Sequence, residues 1–167
     1  AKGALVLGVD PAREGTVSRL PERVIDGRWL EAQGEVVLGK KLARDLNVGV
    51  GEEVFAVTKA ADGSLGNDLY SVVGVVRGAS GTVLMHLTDA QDLLVLPNQV
   101  HEISILGAGP DHVPELKVAV SAVAAAEGVS VRTWSEVQPD MANALALTDA
   151  NALVMVGIVF SVAALGV

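Results

Sequence analysis

Short apolar runs divided by glycine-bearing turns fill the first two thirds of the chain. Ala4–Val9, Val36–Leu38, Val54–Thr58, Leu69–Val76 and Thr82–Leu87 are rich in β-branched residues and bounded by turn residues such as Asp26-Gly27 and Asp62-Gly63. This pattern predicts a mostly β body. Gly74 lies inside the fourth run, where a glycine predicts a bulge or a close backbone approach. Two short helices are predicted between the strands. Lys40–Leu46 sets Leu42 and Leu46 one turn apart and ends at Asn47, a left-handed cap; Thr88–Leu96 opens with the capping-box form Thr88-Asp89-Ala90-Gln91 and is ended by Pro97.

From His101 the pattern changes to strand, helix, strand: His101–Leu106, then Val113–Glu127 with Leu116, Val120 and Val123 on one face, then Val129–Trp134. Gly128 closes the helix. The order fits a right-handed parallel crossover, whose two strands need neighbours from a larger sheet.

The last eighteen residues, Ala150–Val167, carry no charge. As a helix they would measure ~27 Å, just short of a ~30 Å hydrocarbon core, and Thr148-Asp149 supplies an N-cap where the run begins. A membrane-entering helix is expected there; a buried core helix is the competing reading. Thr133–Asp149 contains neither Lys nor Arg, which argues for a non-cytoplasmic flank.

Half of the 167 residues are apolar but only 3% are aromatic, so the core is expected to be built of Val, Leu, Ile and Ala. The net charge of −8 and the lack of any basic cluster beyond Lys40-Lys41 argue against nucleic acid as a partner. Cysteine is absent, which removes disulfides and thiolate metal sites. Residue 1 is Ala and no basic, then apolar leader follows it, so an upstream segment is expected.

Candidate chemistry is sparse. Gly34–Lys41 is one residue from a phosphate-binding loop, but Lys41 replaces the hydroxyl that would hold magnesium and Val36-Val37-Leu38 reads as a strand. Gly49-Val50-Gly51-Glu52-Glu53 resembles a dinucleotide fingerprint, yet it follows a helix and precedes a strand, the reverse of the required order. A tight turn explains it better. His86, His101 and His112 are scattered and form no metal-binding pair, and no nucleophile elbow is present. No catalytic, cofactor-binding or metal residues are therefore assigned, and no enzyme activity or cofactor is expected.

Five segments occur in a familiar order: GVDP at Gly8–Pro11, GRWL at Gly27–Leu30, VVLGKKLARDLNVGVGEEV at Val36–Val54, YSVVGVV at Tyr70–Val76 and WSEVQPDM at Trp134–Met141. Together with the apolar end, they resemble the extracytoplasmic domain of FtsX/MacB-type ABC transporter permeases, and among these the lipoprotein-releasing LolC/LolE type. The most specific part is LG-x-x-LA-x-x-L-x-V-x-x-G-(D/E), matched by Leu38, Gly39, Leu42, Ala43, Leu46, Val48, Gly51 and Glu52.

The resemblance implies an α+β fold: a mostly β extracytoplasmic body (residues 1–98), the second half of a βαβ porter-like part (99–135), a juxtamembrane connector (136–149) and the start of a transmembrane helix (150–167). It further implies a domain inserted between two membrane helices of a bacterial inner-membrane permease, with residues 1–149 outside the cytoplasm. The first half of the porter-like part and one span would lie ahead of Ala1, and two more spans beyond Val167. The implied partners are membrane lipid through Ala150–Val167, a cytoplasmic ATPase that hydrolyses ATP, a second permease copy or homologue, and a lipoprotein or other hydrophobic cargo with a periplasmic carrier. A macrolide or peptide export permease is the sister reading. A membrane-tethered sensor without an ATPase and a soluble enzyme with an apolar core helix are the readings from other classes.

Overall fold

A computed structural model describes residues 1–144 and 147. The chain divides into two compact units, one of residues 1–106 and one beginning at Gly107. Among the described residues no helix is long and apolar enough to cross a membrane. The apolar stretch Ala150–Val167 lies outside the described residues.

The first unit is a six-stranded mixed sheet with helices on it, an α+β arrangement. Its strands are β1 (Leu5–Val9), β2 (Val24–Gly27), β3 (Glu35–Gly39), β4 (Glu53–Lys59), β5 (Leu65–Val76) and β6 (Thr82–His86). They run in the order β1-β6-β3-β5-β2, and β4 pairs with β5. The β1–β6 and β3–β5 pairs are parallel, the other three antiparallel. Helices α1 (Pro11–Val17), α2 (Lys40–Leu46) and α3 (Leu87–Leu94) connect them.

Central β3 reads as an unbroken apolar run because both of its faces are covered. Val36 and Leu38 enter one core with Leu42 and Ala43 of α2, Ala90 and Leu93 of α3, Tyr70, Val72 and Met85. Val37 points the other way, into a second core with Val9, Leu30, Val76 and Leu84. Val73 is an extra residue on β5, since Val36 pairs with Val72 but Val37 with Gly74. At this bulge the segment Gly27–Leu30 straps across β5: Arg28 N donates to Val73 O at 2.9 Å, and a Cβ on Gly74 would overlap the Arg28 carbonyl. Both features expected of Gly74 are present.

Strand β2 and helix α1 add to the predicted elements. Asp26-Gly27 is not a turn between strands but the end of β2, which is itself bulged at Ile25 against β5. Asp10 caps α1 by accepting from Ala12 N at 3.0 Å, with Pro11 at its first position. Helix α3 starts one residue earlier than expected. Its cap is His86, whose Nδ1 accepts from Thr88 N at 3.3 Å, so the capping box at Thr88 does not form; the helix ends at Leu94 with Val95 left-handed (φ 54°), before Pro97.

In the second unit the helix α4 (Val113–Ala124), extended by a short 3-10 turn to Glu127, is present and Gly128 closes it in a left-handed conformation. The two strands expected on either side of it do not form: residues 101–106, at the end of the first unit, and 129–133 make no ladder, and Trp134 instead opens a short helix α5 (Trp134–Val137). Residues 139–144 are also helical. A strand needs an external partner for its N–H and C=O groups, whereas a helix closes its own. The half-buried face of α4 carries Val113, Leu116, Val120 and Ala124; Val123, expected beside Leu116 and Val120, is 75% exposed.

Candidate interaction surface

The segments that look most like chemistry are committed to the fold. The apparent phosphate loop is strand β3, and its leading N–H, that of Gly34, already donates to Asp89 Oδ2 at 2.8 Å. Burial raises the pKa of Asp89 against the opposing effect of that hydrogen bond. The Gly49–Glu53 segment is the tight turn into β4: Glu52 N donates to Gly49 O, Gly49 N donates to Glu52 Oε2 at 2.7 Å, and Gly51 is left-handed at φ 89°. His86 Nδ1 and Thr88 Oγ1 lie 2.7 Å apart, but that imidazole nitrogen caps α3 and Gln33 Nε2 donates to the same hydroxyl at 2.8 Å. Among the described residues no group of His, Cys, Asp or Glu could hold a metal ion.

The motif residues prove to be structural for identifiable reasons. In the LG-x-x-LA-x-x-L-x-V-x-x-G-E phrase, Leu38, Leu42 and Ala43 are buried, and Leu46 and Val48 pack against the same core. A side chain at Gly39 would strike the Ala79 carbonyl. In GRWL, the Arg28 guanidinium and the Glu35 carboxylate form a two-pronged ion pair, with Nη1 to Oε2 at 2.9 Å. Glu35 also accepts from Glu31 N and Ala32 N at 2.9 and 3.1 Å. The hydrogen bond from Arg28, aided by these backbone donors, lowers the Glu35 pKa to about 2. In YSVVGVV, burial and the nearby carboxylates of Asp68, Asp89 and Asp92 push Tyr70 up to about 12. In WSEVQPDM, Glu136 completes a capping box with Thr133 and pairs with Lys117 Nζ at 2.6 Å.

The open surface lies elsewhere, on the ribbon formed by β4 and the first half of β5. One face of the ribbon is covered by α3: Ala61 N donates to Leu94 O at 2.9 Å, Ala60 is buried, and Gly66 leaves room for the Leu93 carbonyl. On the opposite face, Phe55 pairs across the ladder with Leu69, and Val57 and Leu65 flank them. These four side chains are 49–68% exposed. No sequence motif marked this face, though its signal was present: Phe55 and Val57 alternate with Val54, Ala56 and Thr58, giving a strand apolar on both sides.

The MacB-like periplasmic core domain matches residues 2–144 of the chain. The chain belongs to that family. This makes it a periplasmic domain of the MacB/FtsX-like ABC transporter permease type, extracytoplasmic in placement, with an ATPase subunit as the working partner that the family implies. A search of curated proteins finds no match.

Proposed function

We propose that this domain couples ATP hydrolysis by a separate cytoplasmic subunit to the movement of a lipoprotein or another hydrophobic cargo outside the bacterial inner membrane. Membership of the MacB-like family over residues 2–144 carries the reading. In it the domain performs no bond chemistry, and its polar groups serve the fold: Glu35, Glu52, His86 and Asp89 each bind backbone N–H groups. A cargo with acyl chains would favour an apolar contact, and the ribbon face of Phe55, Val57, Leu65 and Leu69 offers one. The apolar end Ala150–Val167 would carry the movement to the membrane helices.

The test is reconstitution of the full-length permease and its partner ATPase in proteoliposomes loaded with a diacylated lipoprotein. ATP-dependent release of the lipoprotein, lost in an ATPase-dead partner, is the expected result. Release of a macrolide or peptide instead would move the domain to the export branch. Failure of any ATPase to associate with the full-length protein would overturn the transport reading.

A further inference from the structure

Among the described residues, β4 pairs with β5 alone, so its outer edge is unpaired. The backbone groups on that edge can be named. Ser71 N donates to Gly34 O on the β3 side, which turns Ser71 and its ladder partner Glu53 away from each other. Alternation along an antiparallel pair then aims the N–H and C=O groups of Glu53, Phe55, Val57 and Lys59 at the open edge.

An open edge with free backbone groups invites another strand, and proteins usually block it with charge. Here the two charges have opposite signs and stand at opposite ends: Glu53 begins β4 and Lys59 ends it. Both are exposed, and neither has an ion-pair partner among the described residues. We propose that β4 pairs antiparallel with β4 of a second copy of this chain, about a two-fold axis at Ala56.

Three requirements are met together in this register. Glu53 faces the second copy's Lys59 at both ends, so charges that would repel a random strand attract this one. Phe55 faces Val57 of the second copy, each using outward backbone groups, so the hydrogen bonds close without a slip. Paired residues share a face, so the apolar patches of the two ribbons join into one continuous surface. Moving the axis to Phe55 or Val57 keeps the hydrogen bonds but leaves one charge of each strand beyond the partner's strand and the other opposite an apolar side chain. The contact is isologous, as a two-fold dimer requires.

The pairing names a contact for the second permease copy and rests on the reading above only for its setting. Its test reads strand proximity without ATP or cargo, so the two can fail separately. The chain has no cysteine, so Ala56→Cys introduces a single thiol. On the axis, two such residues form a non-hydrogen-bonded pair with Cα atoms ~4.5 Å apart, within reach of a disulfide. Mild oxidation of the full chain in detergent should give a covalent dimer, and Ala61→Cys, at the ribbon turn, should not. Because Ala56 is half-buried, charge reversal at exposed sites gives an independent arm. Glu53→Lys or Lys59→Glu alone should weaken the dimer roughly tenfold, and the double reversal should restore it. A protein that is monomeric throughout, equal cross-linking at Ala61→Cys, indifference to the single reversals, or a cross-link from position 56 to a different protein in cells would each overturn the proposal.

Discussion

Val36, Val37 and Leu38 of β3 are wholly buried between two layers, whereas Val118 and Val123 of α4 stand 72% and 75% exposed. Beyond Leu106 no described residue is buried. The difference separates two ways in which an apolar pattern becomes structure. A helix forms on its own hydrogen bonds and can leave an apolar side uncovered, as α4 does. A strand forms only against another strand, so the apolar runs up to Thr82–His86 reach their sheet while those at 101–106 and 129–133 do not. Apolar content alone therefore does not indicate where stability lies; strand partners do.

The largest expected contrast is between Leu38→Ala and Val123→Ala. The first should cost about 3–5 kcal/mol through lost burial and a cavity, and the second within about 0.5 kcal/mol, measured as unfolding midpoints of the full chain in denaturant. Equal losses would erase the distinction between the two regions. Next in size is Gly74→Ala, where the added Cβ meets the Arg28 carbonyl of the strap. A loss of about 2–3 kcal/mol is expected, with hydrogen exchange accelerated at Arg28 N and unchanged within α4.

Glu35→Gln should cost about 1–2 kcal/mol near neutral pH, since it weakens the Arg28 pair. Its pH dependence sharpens the comparison. The folded Glu35 carboxyl titrates at about 2, below an unfolded glutamate at ~4.3. Its contribution is therefore fully present above the unfolded value and is lost as pH falls through that interval toward 2. The glutamine variant should show a flatter acid limb in a stability-against-pH series, and α4 helicity should not follow it. The smallest effect has the opposite sign. Val95 ends α3 in a left-handed conformation that disfavours a β-branched side chain. Val95→Gly should stabilise the first unit by about 0.5–1 kcal/mol, read as a raised thermal midpoint.

What could be read in the sequence follows the same division. Strands β1, β3, β4 and β6 were legible because each is a dense β-branched run between turn residues, and α2 because Leu42, Leu46 and Asn47 mark a face and a cap. Helix α1 left no apolar periodicity, since none of its seven residues is buried, and it was not expected. Strand β2 was hidden because its end, Asp26-Gly27, has the composition of a turn, and its pairing with β5 depends on a bulge that no local pattern reveals. The family motifs were legible as words, but their partners were not: the close approach at Gly39 is to Ala79, and the one expected at Gly74 is to Arg28, each a segment distant along the chain. The open ribbon face went unmarked because a strand apolar on both sides reads the same whether one side or two are covered.

Helix α3 is fastened along its whole length. Near its start, Asp89 holds the Gly34 N–H; at its middle, Ala90 packs on Gly8 of β1; at its end, the Leu94 carbonyl holds Ala61 of the ribbon. No loop intervenes between these attachments. A load applied to the ribbon would thus arrive at the amino-terminal strand through one stiff member, with little slack to absorb it.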